Sequence, residues 1–163
     1  MKLLLDEDVP RQLLETLRCV LVAHTVAHID ELGWKSKTDQ NLLADAASKG
    51  YQAFLTNDSK QLDSAVESRA IRDSGMHHIR YRQQTGRGER AGVTGLALAM
   101  GAILAAICQV MRELDAADGQ RLVLIQSISY GTRHETRDPR KDPPPYWPSR
   151  VGQPSRPSRN RKP

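Results

Sequence analysis

Two short apolar runs of this sequence end in acidic residues, and that pattern can bring carboxylates together. The run Leu3–Leu5 leads directly into Asp6, and the run Phe54–Thr56 leads through Asn57 to Asp58. In an open α/β sheet, ligands bind at the carboxyl ends of the strands, and carboxylates are the ligands that hard cations prefer. Asp6 and Asp58 are therefore candidate ligands of a divalent cation.

Helix capping is the alternative explanation for acids at these positions. Asp8 lies shortly before Pro10, a residue suited to the first turn of a helix, and it can accept hydrogen bonds from free helical amides. Capping accounts for one or two acids. It leaves Asp6 unexplained, because Asp6 lies at the very end of the predicted strand and not in the helix.

Asp39 is a third candidate. It precedes Leu42 and Leu43 by three and four residues, so the three side chains share one face of a predicted helix. That spacing points the carboxylate inward rather than to solvent. The alternative is an acid that merely suits the positive end of the helix dipole, and the spacing leaves both interpretations open.

Hydrophobic periodicity predicts alternating strands and helices, the order of a mostly parallel sheet flanked by helices. The aromatic content is only 4%, so the core must consist mainly of Leu, Ile, Val and Ala. The fifth strand has an aliphatic centre that predicts burial on both faces. Predicted strands cover residues 3–5, 22–29, 51–56, 77–81 and 121–129, and predicted helices cover 11–20, 39–49, 60–70 and 91–111.

Residues 91–111 carry no charge and are long enough to span a bilayer. Their large apolar side chains follow a helical stripe, and alanine and glycine occupy the other faces. A one-sided stripe favours packing on a sheet or on another helix, so no membrane interaction is expected.

Histidine and cysteine spacing predicts no metal site. His24 and His28, four residues apart on one strand, would be about 13 Å apart, too far to share an ion, so structural or surface roles are expected. Cys19 and Cys108 fit a reducing cytoplasm and are expected to be buried small hydrophobes. The segment before Asp6 is too short for a signal peptide.

The basicity of the chain belongs to its tail. Residues 132–163 contain nine lysines and arginines against three acids, a charge of +6, whereas the preceding 131 residues carry −1. This segment is also rich in proline, so we predict a folded domain over 1–131 and a disordered cationic tail over 132–163. A basic loop over 83–90 lacks the full glycine pattern of a phosphate loop but can contact a phosphate backbone.

Residues Leu3–Pro10, Asp39 and Phe54–Asp58 resemble the PIN-like domains. The likeness is closest to a small bacterial group that opens Leu-Leu-Asp-Glu-Asn-Leu-Pro and later has a strand ending Thr-x-Asp, and it covers residues 1–62. The resemblance implies a three-layer α/β/α fold with a mostly parallel sheet of about five strands. It also implies a metal-dependent nuclease, in many members a ribonuclease toxin with a cognate antitoxin, in which Asp6, Asp39 and Asp58 hold Mg²⁺ or Mn²⁺.

Two departures from the family pattern bear on function. Lys60 stands where relatives often have a second acid, and only Asp8 or Asp63 is available as a fourth carboxylate. The leading hypothesis is an endoribonuclease acting on single-stranded RNA, with a homodimer as one candidate assembly. The second hypothesis is a non-catalytic module that binds nucleic acid or a partner protein. The candidate substrate-binding residues are Lys60, Arg87 and Arg90.

Overall fold

The structure, a computed structural model, describes residues 1–35, 37–58, 60–83 and 92–126. Within these ranges, five strands alternate with four α-helices in the predicted order. Arg87, Arg90 and the predicted tail lie outside the described residues. The elements are β1 (Lys2–Leu5), α1 (Gln12–Val20), β2 (Thr25–His28), a 3₁₀ helix (Ile29–Leu32), α2 (Asp39–Ser48), β3 (Ala53–Thr56), α3 (Ala65–Ser74), β4 (His77–Tyr81), α4 (Gly92–Asp115) and β5 (Leu122–Ile125).

All five strands run parallel in one sheet of order β2-β1-β3-β4-β5. The chain passes from β1 outward to β2 and then crosses back to β3, on the other side of β1. The direction of travel therefore reverses between β1 and β3, and ligands of open parallel sheets bind at the carboxyl ends of strands flanking such a point. Asp6 lies there, and its backbone N–H donates to the Leu55 carbonyl of β3 (3.0 Å).

Helices cover both faces of the sheet, which makes the predicted three-layer α/β/α arrangement. On one face, α1 and α4 share a core cluster through side chains such as Leu17 and Ile103. On the other face, α2 and α3 share a second cluster through Leu43 and Ile71. Most fully buried side chains are aliphatic, as the low aromatic content predicts.

The connection from β4 through α4 to β5 has the opposite hand to the connections made by the other three helices. Both α3 and α4 connect a strand to its neighbour in the same direction, yet they lie on opposite faces. Crossovers of parallel strands usually share one hand, and this exception leaves the α2/α3 face of β5 uncovered by any described helix. Leu122 is 59% exposed and Leu124 is also exposed. The prediction that this strand is buried on both faces is therefore wrong.

Helix α3 begins at Ala65 rather than at residue 60. The Lys60 N–H donates to a carboxylate oxygen of Asp58 (2.7 Å), and the Asp63 N–H donates to the Lys60 carbonyl (2.8 Å), so this stretch turns instead of starting a helix. The hydroxyl of Ser64 then caps α3 by accepting the Glu67 N–H (3.4 Å). The Ser-x-x-Glu spacing is the sequence signal for this start.

The two cysteines are exposed, so the prediction that they are buried is wrong. Cys19 lies beyond the buried stripe of α1, which ends at Leu17, and Cys108 lies on the outer side of α4 next to buried Ile107. Helix periodicity explains both positions, because residues one or two positions after a core residue point away from the core.

Helix α4 has the length and composition of a membrane span, but one of its faces packs on the sheet. A third (33%) of its most apolar 18-residue window is buried. Ile103, Ile107, Val110 and Met111 lie in the predicted helical stripe and belong to the core cluster shared with α1 and the sheet.

Candidate functional site

The turn after β1 is held by buried polar groups from neighbouring strands. Tyr81 at the end of β4 donates its hydroxyl to the Asp8 carbonyl (3.0 Å), and His28 at the end of β2 donates its Nε2–H to the Val9 carbonyl (2.9 Å). The Val9 N–H in turn donates to the Asp6 carbonyl (3.1 Å). These bonds fix the backbone that carries the first acids of the site, and they give His28 the structural role expected from the sequence.

The Thr56 hydroxyl joins the ends of β1 and β3. It lies 2.7 Å from Asp6 Oδ2 and 3.3 Å from Asp8 Oδ2, and it accepts the Asp58 N–H at 3.0 Å. Because a hydroxyl has one proton to donate, the shorter contact identifies Asp6 as its main acceptor. Thr56 therefore connects three acids that the sequence separates by up to 52 positions.

The Asp8 side chain does not cap α1. Both of its carboxylate oxygens accept the Asn57 N–H at 3.0 Å, across the gap between β1 and β3. Arg11 occupies the N-cap position of α1 without a side-chain capping bond. The capping interpretation of Asp8 is therefore wrong, and Asp8 lies beside Asp6 and Thr56 instead.

Asp39 reaches the site from the first turn of α2. It is half-buried, and its Oδ2 accepts a hydrogen bond from the Gln61 amide (3.2 Å). Gln61 is only 2% exposed, and its other amide atom, Oε1, lies 3.0 Å from Nε2 of His78, which is 1% exposed. The acid thus points inward, as predicted from its spacing to Leu42 and Leu43.

The charges of the four acids interact. Burial raises the pKa of Asp6 to about 6; the hydrogen bond from Thr56 opposes this rise, and the charges of Asp8 and Asp39 add to it. Burial also raises the pKa of Asp8, with the charge of Asp58 contributing in the same direction. Clustered carboxylates disfavour one another's ionisation, so a cation bound among them would relieve the repulsion.

The donor chemistry of this cluster fits a hard divalent cation. Every candidate ligand is a carboxylate oxygen, and within the described residues Asp39 and Asp58 each use only one oxygen in a hydrogen bond. As the side chains stand, no three His, Cys, Asp or Glu residues of the described chain form a ready-made metal site. A divalent cation held by three of these acids would require their carboxylates to move closer together.

Positive charge lies on the β4 side of the acids. Asp63, Arg80, Tyr81, Arg82 and Leu124 line a hollow of about 200 Å³. Asp63 is exposed and contributes to this hollow rather than to the hydrogen bonds among the other four acids. The side chain of Lys60 is exposed as well, and only its backbone N–H bonds to Asp58.

Four residues of the site carry no predicted role: Thr56, Gln61, His78 and Tyr81. The polar end of an apolar strand is a signal that could have identified Thr56. Tyr81 could be expected at a strand end, since its hydroxyl needs a partner when the ring is buried. Gln61 gives no signal, because its burial depends on the late start of α3.

One of three comparisons with known proteins identifies a family. A family model described as "PIN like domain" matches residues 1–83, which include β1 to β4 and all the acids above. No curated protein and no solved structure matches the chain. The resemblance predicted from the sequence is therefore confirmed at the level of the family.

Proposed function

The chain belongs to the PIN-like domain family, which includes nucleases, and on that premise we propose that it is a metal-dependent endoribonuclease. Asp6, Asp39 and Asp58 would hold Mg²⁺ or Mn²⁺, with Asp8 as a further ligand. The observation that carries this proposal is the burial of Asp6 among three other aspartates at the point where the strand order reverses.

The residues of the site divide the work of hydrolysis. A bound divalent ion supplies Lewis acidity and a water of lowered pKa. Thr56 keeps Asp6 directed at the gap between β1 and β3, and the Tyr81 and His28 bonds keep the turn after β1 in place. Lys60 and the hollow beside Arg82 would receive the phosphate backbone of single-stranded RNA.

Cleavage assays on purified protein test the proposal. Unstructured RNA should be cut with Mg²⁺ or Mn²⁺ and left intact with EDTA. Asp6→Asn should abolish cleavage without lowering the melting temperature, and Asp115→Asn should cleave normally, because Asp115 lies at the opposite end of the sheet. Cleavage by Asp6→Asn at the wild-type rate would refute the proposal.

A role as the toxin of a toxin–antitoxin pair is a finer part of the same proposal. Expression of the wild-type chain in a bacterial cytoplasm should then arrest growth, and expression of Asp6→Asn should not. Equal growth with both chains, at equal protein levels, would remove the toxin role and leave the nuclease proposal untouched.

A second candidate function is a module that binds nucleic acid or a partner protein without cleavage. Lys60 in place of an acid and the arginine-lined hollow favour it. Binding of RNA should then persist with EDTA, weaken steeply with salt and fall when residues 132–163 are removed. Salt-insensitive binding would contradict this candidate.

A further inference from the structure

We propose that Gln61 and His78 are positioning residues, which hold the Asp39 carboxylate in place for a divalent cation. This inference rests on the proposed function and assigns roles to two side chains that do not themselves reach the cation. The geometry behind it is a chain of hydrogen bonds from β4, through the turn before α3, to the first residue of α2.

The chain of bonds has two links. The Gln61 amide nitrogen lies 3.2 Å from Asp39 Oδ2, and the amide oxygen lies 3.0 Å from His78 Nε2. Gln61 and His78 are both almost completely buried, whereas Asp39 is only half-buried. The chain therefore starts in the interior of the α2/α3 layer and ends on a carboxylate at the acidic cluster.

Asp39 determines the direction of every bond in the chain. An ionised carboxylate can only accept, so Gln61 must present its NH₂ group to Asp39 and its oxygen to His78. His78 must then donate from Nε2, which leaves Nδ1 without a proton. Nδ1 is buried and has no partner among the described residues, as expected for a neutral ring whose one N–H is at Nε2.

Packing alone gives no reason for polar side chains at these two positions. The centre of the His78 ring lies 6.1 Å from the centre of the Phe54 ring, beside the apolar cluster under α2 and α3. Burying an amide and an imidazole costs free energy unless their hydrogen bonds are made, and aliphatic side chains would carry no such cost. The bonds that compensate this cost lead to Asp39.

Residues that orient metal ligands without touching the metal commonly change metal affinity by about 10–100-fold when they are removed. We therefore expect Gln61→Leu to weaken Mn²⁺ binding by about that factor. His78→Leu should weaken it less, because Gln61 still contacts Asp39 but its amide can now rotate. His78→Gln should restore most of the affinity, because a glutamine at this position can still donate to Gln61.

Calorimetric titration with Mn²⁺ alone tests these expectations, with melting temperatures in EDTA recorded for every variant. Gln120→Leu is the matched control, because the Gln120 amide also bonds to α3 and to the turn before β4, at the carbonyls of Ile71 (2.7 Å) and Met76 (2.6 Å). It should lower the melting temperature and leave the Mn²⁺ affinity unchanged.

A double-mutant cycle separates positioning from mere stability. On an Asp39→Asn background, Gln61→Leu should cause no further loss of Mn²⁺ affinity, because the ligand that it positions is already absent. Equal affinity of wild type and Gln61→Leu would overturn the positioning role alone. Failure of the wild-type chain to bind Mn²⁺ at all would overturn both this role and the proposed function.

Discussion

The two ends of the sheet use their charged groups in opposite ways. At the amino end, Asp115 lies 3.8 Å from the Met1 ammonium and 3.7 Å from the His24 ring, so its negative charge has positive or polar partners. At the carboxyl end, Asp6 is only 7% exposed, and its neighbours include other acids. Paired surface charges add little to stability, whereas a buried like-charge cluster opposes folding, as the acids of binding and catalytic sites commonly do.

Acid should produce the largest change in stability, through a histidine that is bonded to the acidic cluster by way of Gln61. Burial, with the nearby charge of Arg80, lowers the pKa of His78 from 6.5 to about 4. Between pH 6.5 and 4 the imidazole binds a proton in the unfolded state but not in the folded state. The stability present above pH 6.5 is therefore lost progressively as the pH falls towards 4. The loss is about 3 kcal/mol at about 1.4 kcal/mol per pKa unit.

Urea unfolding of wild type and His78→Gln between pH 7 and pH 4 measures this contribution. The free energy of unfolding of the wild type, relative to that of the variant, should fall by about 3 kcal/mol over this interval, because Asp6 titrates alike in both proteins and cancels in the difference. Two parallel pH profiles would show that His78 does not carry the acid sensitivity.

Divalent cations should stabilise the protein through the acids at the carboxyl end of the sheet and not through Asp115 at the amino end. At a Mn²⁺ concentration of about 100 times the dissociation constant, binding to the folded state adds about 2.7 kcal/mol to the free energy of unfolding. Asp6→Asn and Asp58→Asn should lose this gain, and Asp115→Asn should retain it. Equal stabilisation of all three variants would place the bound Mn²⁺ elsewhere on the protein.

Removal of one acid should stabilise the metal-free protein. The pKa of Asp6 is raised from 3.8 to about 6 on folding, so its ionisation above pH 6 opposes folding by about 3 kcal/mol. Asn loses one of the two acceptor bonds, to Thr56 or to the Glu7 N–H, which costs about 1 kcal/mol. In EDTA at pH 7.5, Asp6→Asn should therefore raise the free energy of unfolding by about 1–2 kcal/mol in urea titrations. A less stable variant would show that the hydrogen bonds outweigh the repulsion.

Local sequence patterns predict the strand ends and therefore two of the site's acids. Apolar runs ending in Asp6 and near Asp58, and the spacing of Asp39 to Leu42, are local features that survive in the folded chain. The side-by-side placement of β1 and β3 makes these acids neighbours. That placement depends on strand order, which no local pattern contains.

The sequence predicts burial less well than secondary structure, because the burial of a side chain depends on which helix covers which strand. The apolar centre of β5 is exposed on one face since α4 lies on the other side of the sheet. Asp8 has the right position for a cap, yet the Asn57 N–H, which is distant in sequence, accounts for its hydrogen bonds. In each case a contact between distant segments overrides a preference that the sequence expresses locally.

The smallest expected change in the free energy of unfolding comes from the acid at the amino end of the sheet. Asp115→Asn should lower the free energy of unfolding by less than about 1 kcal/mol, because the carboxylate is half-exposed and solvent screens its attraction to the Met1 ammonium. Salt at about 1 M should abolish this difference, since screening acts over about 3 Å there. The gain from Asp6→Asn should persist in the same salt, because burial is the largest cause of the raised pKa and salt does not hydrate a buried carboxylate. If salt removed both differences equally, the acids at the carboxyl end would behave as ordinary surface charges, and the distinction between the two ends would fail.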